Sequence, residues 1–310
     1  MIKIPILGVK PINIFLLGSI VLLVVLIPPM SIYAQNSDIQ LNNDLSLNSN
    51  TTKSEQLEIM GLYSVYQQLE MEITKIMNIA HQSMNLTNTF GSFPVVNLTT
   101  DMQQQYRGIP SDQDVEKRNE AKKLLTDNPS LLFVGMNFPN GDTYFSEPYF
   151  PSQANSSVSN YGYRDHIIGA QETKQPYLSN VITAASTGKP IAVLATPIFS
   201  DKTADSTLVG MLAFGLNFTH FNELLKSKSD NNSTRLLLLD NNGTEISDYD
   251  STSNSNLSES FAVLQSFKNA KEGELGSIME NIDGKNMTIS YVPINFAQTK
   301  WILLSMAPNN

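Results

Sequence analysis

The chain contains no cysteine. That absence removes disulfide frameworks, Cys-based zinc sites and thiol nucleophiles together, so the fold must stand on its apolar core alone. Basic residues are in the minority: 20 Lys and Arg face 29 Asp and Glu, for a net charge of −9 and a pI near 4.8. No basic stripe exists to neutralise phosphates, which excludes nucleic acid as a partner. The only histidines are His81, His166 and His220, too far apart for a helical zinc motif, so no metal is expected. Neither a GxGxxG nor a GxxxxGK(S/T) loop occurs, so no nucleotide cofactor is expected. No G-x-S-x-G elbow supports a hydrolase. Asp240-Asn241-Asn242-Gly243-Thr244 lacks the later acidic ligands of a calcium loop and reads as a hairpin turn. No enzymatic constellation survives, and the chain is read as a non-enzyme without a cofactor.

What is present can bury one sizeable core or two modest ones, since 41% of the 310 residues are hydrophobic. Lys3 and Lys10 precede an uncharged apolar run from Ile12 to Ile27, closed by Pro28 and Pro29. The run exceeds the ~7–15-residue core of a signal peptide and falls short of the ~20 residues of a comfortable span. Residues 1–34 are therefore expected to be either a signal peptide, with Ala34 at its cleavage site, or an uncleaved membrane anchor. In both cases the positive flank stays in the cytoplasm and the remainder lies outside. Residues 35–53, rich in Asn and Ser, read as a flexible linker. No second apolar span precedes Asn310, so the expectation is an extracytoplasmic domain without its own output region. Sequons at Asn50, Asn85, Asn97, Asn155, Asn217, Asn231, Asn232, Asn242, Asn256 and Asn286 are acceptors if the source glycosylates exported proteins. Asn217 reads instead as a helix cap.

From Ser54, the residues Ile59, Leu62, Tyr66, Leu69, Ile73, Ile76, Ala80 and Met84 recur at steps of three and four. They predict a long helix to Met84 or Leu86, with Met60, Met71, Met77 and Met84 as flexible core filler. Asn88 to Arg107 reads as loop. Gln113 to Leu125 predicts a helix capped by Ser111 or Asp112, in which Asp114, Glu116, Lys117, Arg118, Glu120, Lys122 and Lys123 form a solvated face. Leu131–Phe138 and Thr143–Phe145 flank Asn140-Gly141 as a hairpin. The stretch from Tyr161 to Phe218 reads as a helix (Asp165–Thr173) and strands Tyr177–Thr183, Pro190–Phe199 and Thr207–Leu216, with Gly188 in the first turn. The last two strands are apolar almost throughout. That predicts a sheet covered on both faces, or covered on one and lining a pocket on the other. After a helix near Thr219–Ser227 the order repeats: a hairpin across Asn242-Gly243, a helix Glu259–Ala270, and strands Gly276–Asn281, Met287–Pro293 and Lys300–Met306. Two copies imply two stacked α+β modules, residues 54–228 with the long helix and residues 229–310.

Arg164 is the only Arg between Arg118 and Arg235, at the start of the central sheet, where its fork suits a carboxylate. Tyr177 offers a ring and a hydroxyl, and His166 a donor or acceptor near neutrality. Tyr163 and Tyr144 complete the candidate ligand-binding set. The ordered series Tyr163-Arg164-Asp165-His166, Ala170, Pro176-Tyr177-Leu178-Ser179, Thr187-Gly188-Lys189-Pro190, Thr196-Pro197-Ile198 and Leu208-Val209-Gly210-Met211-Leu212 resembles the core of a Cache domain. More narrowly, it resembles the double Cache domains that serve chemoreceptors and sensor kinases as extracytoplasmic sensors, and the resemblance covers about residues 54–310.

The resemblance implies an α+β fold: a long N-terminal helix, then two stacked PAS-like modules with antiparallel sheets, the first membrane-distal and ligand-binding, the second membrane-proximal. By analogy with relatives that bind amino acids, Arg164 takes a ligand carboxylate and Tyr177 contributes. His166 and Ile167 replace an aromatic pair, Gly215 replaces the Asp that holds an ammonium group, and Ser159 replaces a Tyr. A small carboxylate or other metabolite without an amine fits these departures better than an amino acid. The expected function is extracytoplasmic small-molecule binding and sensing, signalling through a separate membrane partner or acting as a stand-alone binding protein. The long helix suggests a homodimer in the family's manner, with the monomer as the other option. The alternative is a cell-surface structural or adhesion module with a degenerate Cache pocket.

Overall fold

The computed structural model describes residues 53–84, 89–91, 93–149, 159–185, 187–200, 206–228, 234–249 and 261–308. The expected signal or anchor segment, nearly all of the linker, the start of the helix expected from Glu259 and the sequons at Asn50, Asn85, Asn155, Asn231, Asn232 and Asn256 lie outside the described residues. Among the described residues no helix is long and apolar enough to cross a membrane.

Helix α1 (Lys53–Ser83) keeps the expected three- and four-residue spacing, but its buried stripe is rotated slightly. Leu62, Val65, Leu69, Ile73, Ile76 and Ala80 are buried, while Tyr66 is half-buried and donates its hydroxyl to Glu70 at 2.9 Å. Met60 and Met71, expected as core filler, are exposed. Helix α2 (Thr100–Tyr106) occupies part of the expected loop. Its polar sequence gives no apolar period and none of its residues is buried; Thr99 holds it by accepting the N–H of Met102 at 3.2 Å. Helix α3 (Val115–Asp127) begins after Asp114 rather than after the expected Ser111 or Asp112 cap. Its face is not solvated throughout, because Lys117 and Arg118 are each 1% exposed.

Strands β1 (Leu131–Asn137) and β2 (Thr143–Glu147) form the first hairpin. Helix α4 (Asp165–Thr173) leads to β3 (Tyr177–Leu178), β4 (Ile182–Thr183), β5 (Pro190–Ile191), β6 (Val193–Phe199) and β7 (Leu208–Leu216). The strand expected over Tyr177–Thr183 is thus split. Ser179 interrupts it by accepting the Val193 N–H on its side-chain hydroxyl at 2.9 Å, in place of a ladder bond. The first sheet is antiparallel and has the order β2-β1-β7-β6-β3, with β4 and β5 paired beside it.

Helix α5 (Phe218–Lys228) follows Asn217, whose side-chain amide donates to Pro129 O at 2.9 Å. The chain continues through β8 (Arg235–Leu239), β9 (Glu245–Tyr249), α6 (Gln265–Glu272), β10 (Gly276–Ile282), β11 (Lys285–Phe296) and β12 (Thr299–Pro308). These strands form a second antiparallel sheet, ordered β10-β11-β12-β8-β9.

One continuous core joins both sheets to α1. Val134, Met136, Leu194, Leu212 and Phe214 of the first sheet and Leu236, Leu238, Ile294, Phe296, Trp301 and Leu303 of the second share it with Leu62 to Ala80. The far face of the second sheet is filled by its own cluster, in which Leu237, Ile289, Tyr291 and Leu304 pack with Phe267 and Ala270 of α6. The far face of the first sheet is only partly filled. There Ile167 and Ala170 of α4 cover Ala195 and Met211, and the rest of that face opens onto a cavity. The second of the two alternatives read from the strands, one face covered and the other lining a pocket, is the observed one.

Candidate functional site

The site begins with a turn. Gly141 has a φ of +89°, and a Cβ there would lie 2.0 Å from Gly162 N. Only a glycine tolerates both the left-handed conformation and that close approach. The segment before α4 lies along the turn: Thr143 N–H donates to Ser159 O at 2.9 Å and Tyr161 N–H to Gly141 O at 2.8 Å. Gln171 of α4 donates its side-chain amide to Pro139 O. These bonds fix the residue just before α4, Arg164, over the open face of the sheet.

The cavity is about 200 Å³. Its floor is the outer face of the first sheet, where Phe133, Gly135 and Asn137 of β1 lie beside Thr143 and Phe145 of β2, Ala213 of β7 and Val193 of β6. Room exists because small residues meet in the middle, with Gly135 directly opposite Ala213. Tyr161, Arg164 and His166 close one side, and Ile182, Thr183, Ala184, Ala185 and Thr187 close another. Among the described residues no Asp or Glu lines it.

Of the residues singled out from the sequence, Arg164 and His166 line this cavity, and Tyr163, Tyr177 and Tyr144 do not. Arg164 is half-buried; among the described residues its guanidinium donates only to Thr183 O, at a long 3.4 Å, and meets no carboxylate. Arg118 and Arg235, in contrast, are each paired with an acid. The Nδ1 of His166 is buried without a hydrogen-bond partner, with Asp165 Oδ1 at 3.5 Å. The Asp165 carboxyl is held below the usual carboxylate range, first by the His166 side chain and also by the backbone N–H groups of His166 and Asn180, against the opposing effect of burial. Burial pushes the Tyr161 hydroxyl above the ordinary tyrosine value, so it stays a donor at neutral pH.

Tyr163 is 62% exposed and offers its ring to the Arg164 guanidinium, whose Cζ lies 5.2 Å from the ring centroid. It orients the arginine from outside the cavity. The Tyr177 ring packs on Gly169 of α4, 2.4 Å from where a Cβ would stand, and belongs to the α4 cluster. Ile167 is fully buried in the same cluster. Tyr144 lies in the core on the other side of its strand. Its hydroxyl donates to Asp114 Oδ2 at 2.7 Å and accepts the Val96 N–H at 3.1 Å.

Tyr144→Phe is therefore expected to cost about 1–3 kcal/mol of stability, measured by urea unfolding, and to leave ligand affinity unchanged. Burial and the bond to Asp114 push the Tyr144 hydroxyl up to about 12. Because the folded value is raised, its contribution is complete below about pH 10, the unfolded value, and is lost as pH rises towards the folded one. The mutational loss should shrink across that alkaline window; a loss that stays constant from pH 8 to 12 refutes the assignment.

Residues that the sequence reading missed are Phe133, Asn137, Thr143, Phe145, Tyr161 and the wall formed by residues 182–185 and Thr187. One signal for them existed. Gly135 sits inside an otherwise apolar strand, a position where a glycine marks a close approach by a ligand or another chain.

A model of the Cache domain family, in its double form, matches residues 46–310. The chain belongs to the Cache domain family, a family of sensory ligand-binding domains rather than a class of enzymes. No curated protein matches the chain significantly. Among solved structures it is similar to the periplasmic sensory domain of the Campylobacter jejuni chemoreceptor Tlp1, at 15% identity and a TM-score of 0.58, covering 83% of this chain and 95% of that one. It is similar to the ligand-binding domain of the Pseudomonas aeruginosa amino acid chemoreceptor PctB in complex with L-Arg, at 11% identity and a TM-score of 0.53, covering 83% and 89%. It is also similar to an extracellular ligand binding receptor from Desulfohalobium retbaense, at 18% identity and a TM-score of 0.55. There the match covers 80% of this chain but only 39% of the receptor's length. At these identities the likeness is one of fold.

Proposed function

We propose that the chain is an extracytoplasmic sensor domain that binds a small carboxylate in the cavity on the first sheet, with Arg164 as its grip. The observation that carries this reading is a guanidinium that meets no carboxylate among the described residues, at the wall of an open, mostly apolar cavity. Such a group stands ready to form a charge-assisted, bidentate bond with an anionic ligand. His166 and Tyr161 supply a second and third polar contact beside it. Residues 54–228 form the ligand-binding, membrane-distal module and residues 229–310 the proximal one, whose corresponding sheet face is filled by its own core. Residues 1–34 export or anchor the domain, with α1 as the contact of a homodimer. The rival reading, a structural or adhesion module with a degenerate pocket, calls for a filled cavity and a neutralised arginine; the open cavity favours binding.

The test is a thermal-shift screen of the full chain against small carboxylates, amino acids, amines and nucleobases. A ligand that binds only the folded state raises the melting point by mass action, so a saturating carboxylate should shift it by several degrees. Arg164→Ala is expected to weaken that ligand by about tenfold to a hundredfold, the worth of one charged hydrogen-bonding group. A carboxylate whose shift is unchanged in Arg164→Ala would sink the site assignment.

A further inference from the structure

The cavity wall is unbalanced in charge. Arg164 and His166 line it, and among the described residues no Asp or Glu does. The acids nearest in sequence do not line it and are already engaged: Asp165 accepts the backbone N–H of His166 at 2.8 Å, Asp142 is bonded by Asn140 and Asn160, and Glu147 is paired with Arg118. An ammonium group entering the cavity would lose its hydration and find no counter-charge, a cost of several kcal/mol for an unpaired buried ion.

The floor is polar at Asn137 and Thr143 but apolar around Phe133. Phe133, Ile182 and Ala184 pack with Ile191, Val193 and Ala213 as one cluster. Phe133 and Gly215 are cross-strand partners, and the ring lies 2.2 Å from where a Gly215 Cβ would stand. The ring thus occupies the space that a side chain on β7 would otherwise use to present a polar group. A second carboxylate pointing into this part of the floor would find no partner. The volume of about 200 Å³ lies below the roughly 300–1,000 Å³ of sites for drug-sized ligands, so the occupant is a small molecule.

We infer that the cavity selects a monocarboxylate with a compact apolar body and no amino group, and that Phe133 sets this selectivity by making this part of the floor apolar. The inference rests on the carboxylate reading above and narrows it to a chemical class. Arg164 holds the head group, and the Phe133, Ile191, Val193 and Ala213 floor takes the tail. Selection acts mainly against competitors, by leaving their extra charge unpaired.

Isothermal titration of the full chain with matched ligands tests it: isovalerate against leucine, benzoate against phenylglycine, and succinate as the diacid. At least one of isovalerate and benzoate should bind, with its amino counterpart and succinate at least about tenfold weaker. Phe133→Asp, which puts a carboxylate into the floor, should lower the affinity for that acid at least about tenfold and narrow or reverse its preference over the amino acid. Leucine or phenylglycine binding wild type as tightly as its acid, and lost in Arg164→Ala, overturns this inference while keeping the carboxylate grip. Silence from every acid and amino acid in the set overturns both. A Phe133→Asp chain that fails to fold leaves the wild-type comparison to decide.

Discussion

Replacing Arg118 by methionine is expected to lower the stability of the fold by about 3–5 kcal/mol, the usual consequence of stranding one member of a buried ion pair. Arg118 is 1% exposed, and its Nη1 donates to Glu147 Oε1 at 2.6 Å. Its other donors reach three backbone carbonyls, those of Gln113 at 3.0 Å, Ile109 at 3.0 Å and Pro110 at 3.1 Å. The guanidinium also lies 5.3 Å from the ring centroids of Phe145 and Tyr149. Methionine fills much of the same volume but supplies none of these donors, so a buried carboxylate and several carbonyls are left without partners at once. In a chain of this size the melting point should fall by roughly 6–20 °C. Arg118→Lys should recover little, because a point charge on a flexible stem cannot reproduce a planar fork that serves four acceptors. Adding Glu147→Met to Arg118→Met should restore part of the loss, since it removes the stranded carboxylate while the three backbone carbonyls stay without their donor. The double-mutant cycle reads the coupling directly, and a coupling below about 0.5 kcal/mol would remove the ion pair from the account. Phe145 also forms part of the cavity wall. The single variant should therefore weaken ligand binding as well as stability, while the double variant tells packing from charge.

This residue also marks where the sequence stops being readable. On α3 the run Glu116 to Lys123 has the charge density of a solvated face, and nothing within the helix says that Arg118 is buried. Its partner, Glu147, lies on another element and is brought near only by the fold. Periodicity, in contrast, carries its own information. The bounds of α4, Asp165–Thr173, were readable to the residue, because apolar spacing, Gly and Pro mark an element locally. Strands β6 and β7 are so uniformly apolar that their two faces could not be told apart. The face with Leu212 and Phe214 serves the core, and the one with Val193 and Ala213 serves the cavity. Arg164 and His166 were found because their chemistry is unusual for the stretch. Tyr144 and Tyr177 have equally suitable chemistry, but Tyr144 turns to the opposite face and Tyr177 packs under α4. Residue type names candidates; strand parity and tertiary packing choose among them.

The other large effect is expected at Asp240, read from the sequence as an ordinary hairpin turn. Its Oδ1 accepts the N–H groups of Asn242 and Thr244, each at 2.8 Å, which closes the β8–β9 turn. Its Oδ2 accepts the N–H of Val181 at 2.9 Å, in the segment between β3 and β4. A few residues away, Gln298 in the β11–β12 turn accepts the Leu178 N–H at 2.9 Å and donates to the Leu178 carbonyl at 2.7 Å. Two turns of the second sheet thus clamp the segment that runs directly into Ile182 and Thr183 of the cavity wall. Asp240→Ala removes three charge-assisted bonds and should cost about 2–4 kcal/mol. Asp240→Asn separates the two roles. The amide oxygen can still accept both turn N–H groups, but the amide nitrogen then faces the Val181 N–H, donor against donor. The turn should survive and the clamp should open, at about 1–3 kcal/mol. If the clamp holds the wall in its binding geometry, opening it lowers the fraction of competent protein, and affinity falls by that fraction, about threefold to tenfold. The same linkage works in reverse: a ligand bound against Ile182 and Thr183 would tighten the clamp on the second sheet. Titrating the ligand into Asp240→Asn, with Gln298→Ala as the companion variant, measures this. Unchanged affinity in both, with stability reduced, would make the clamp a purely structural bond and leave the second sheet uncoupled from the cavity.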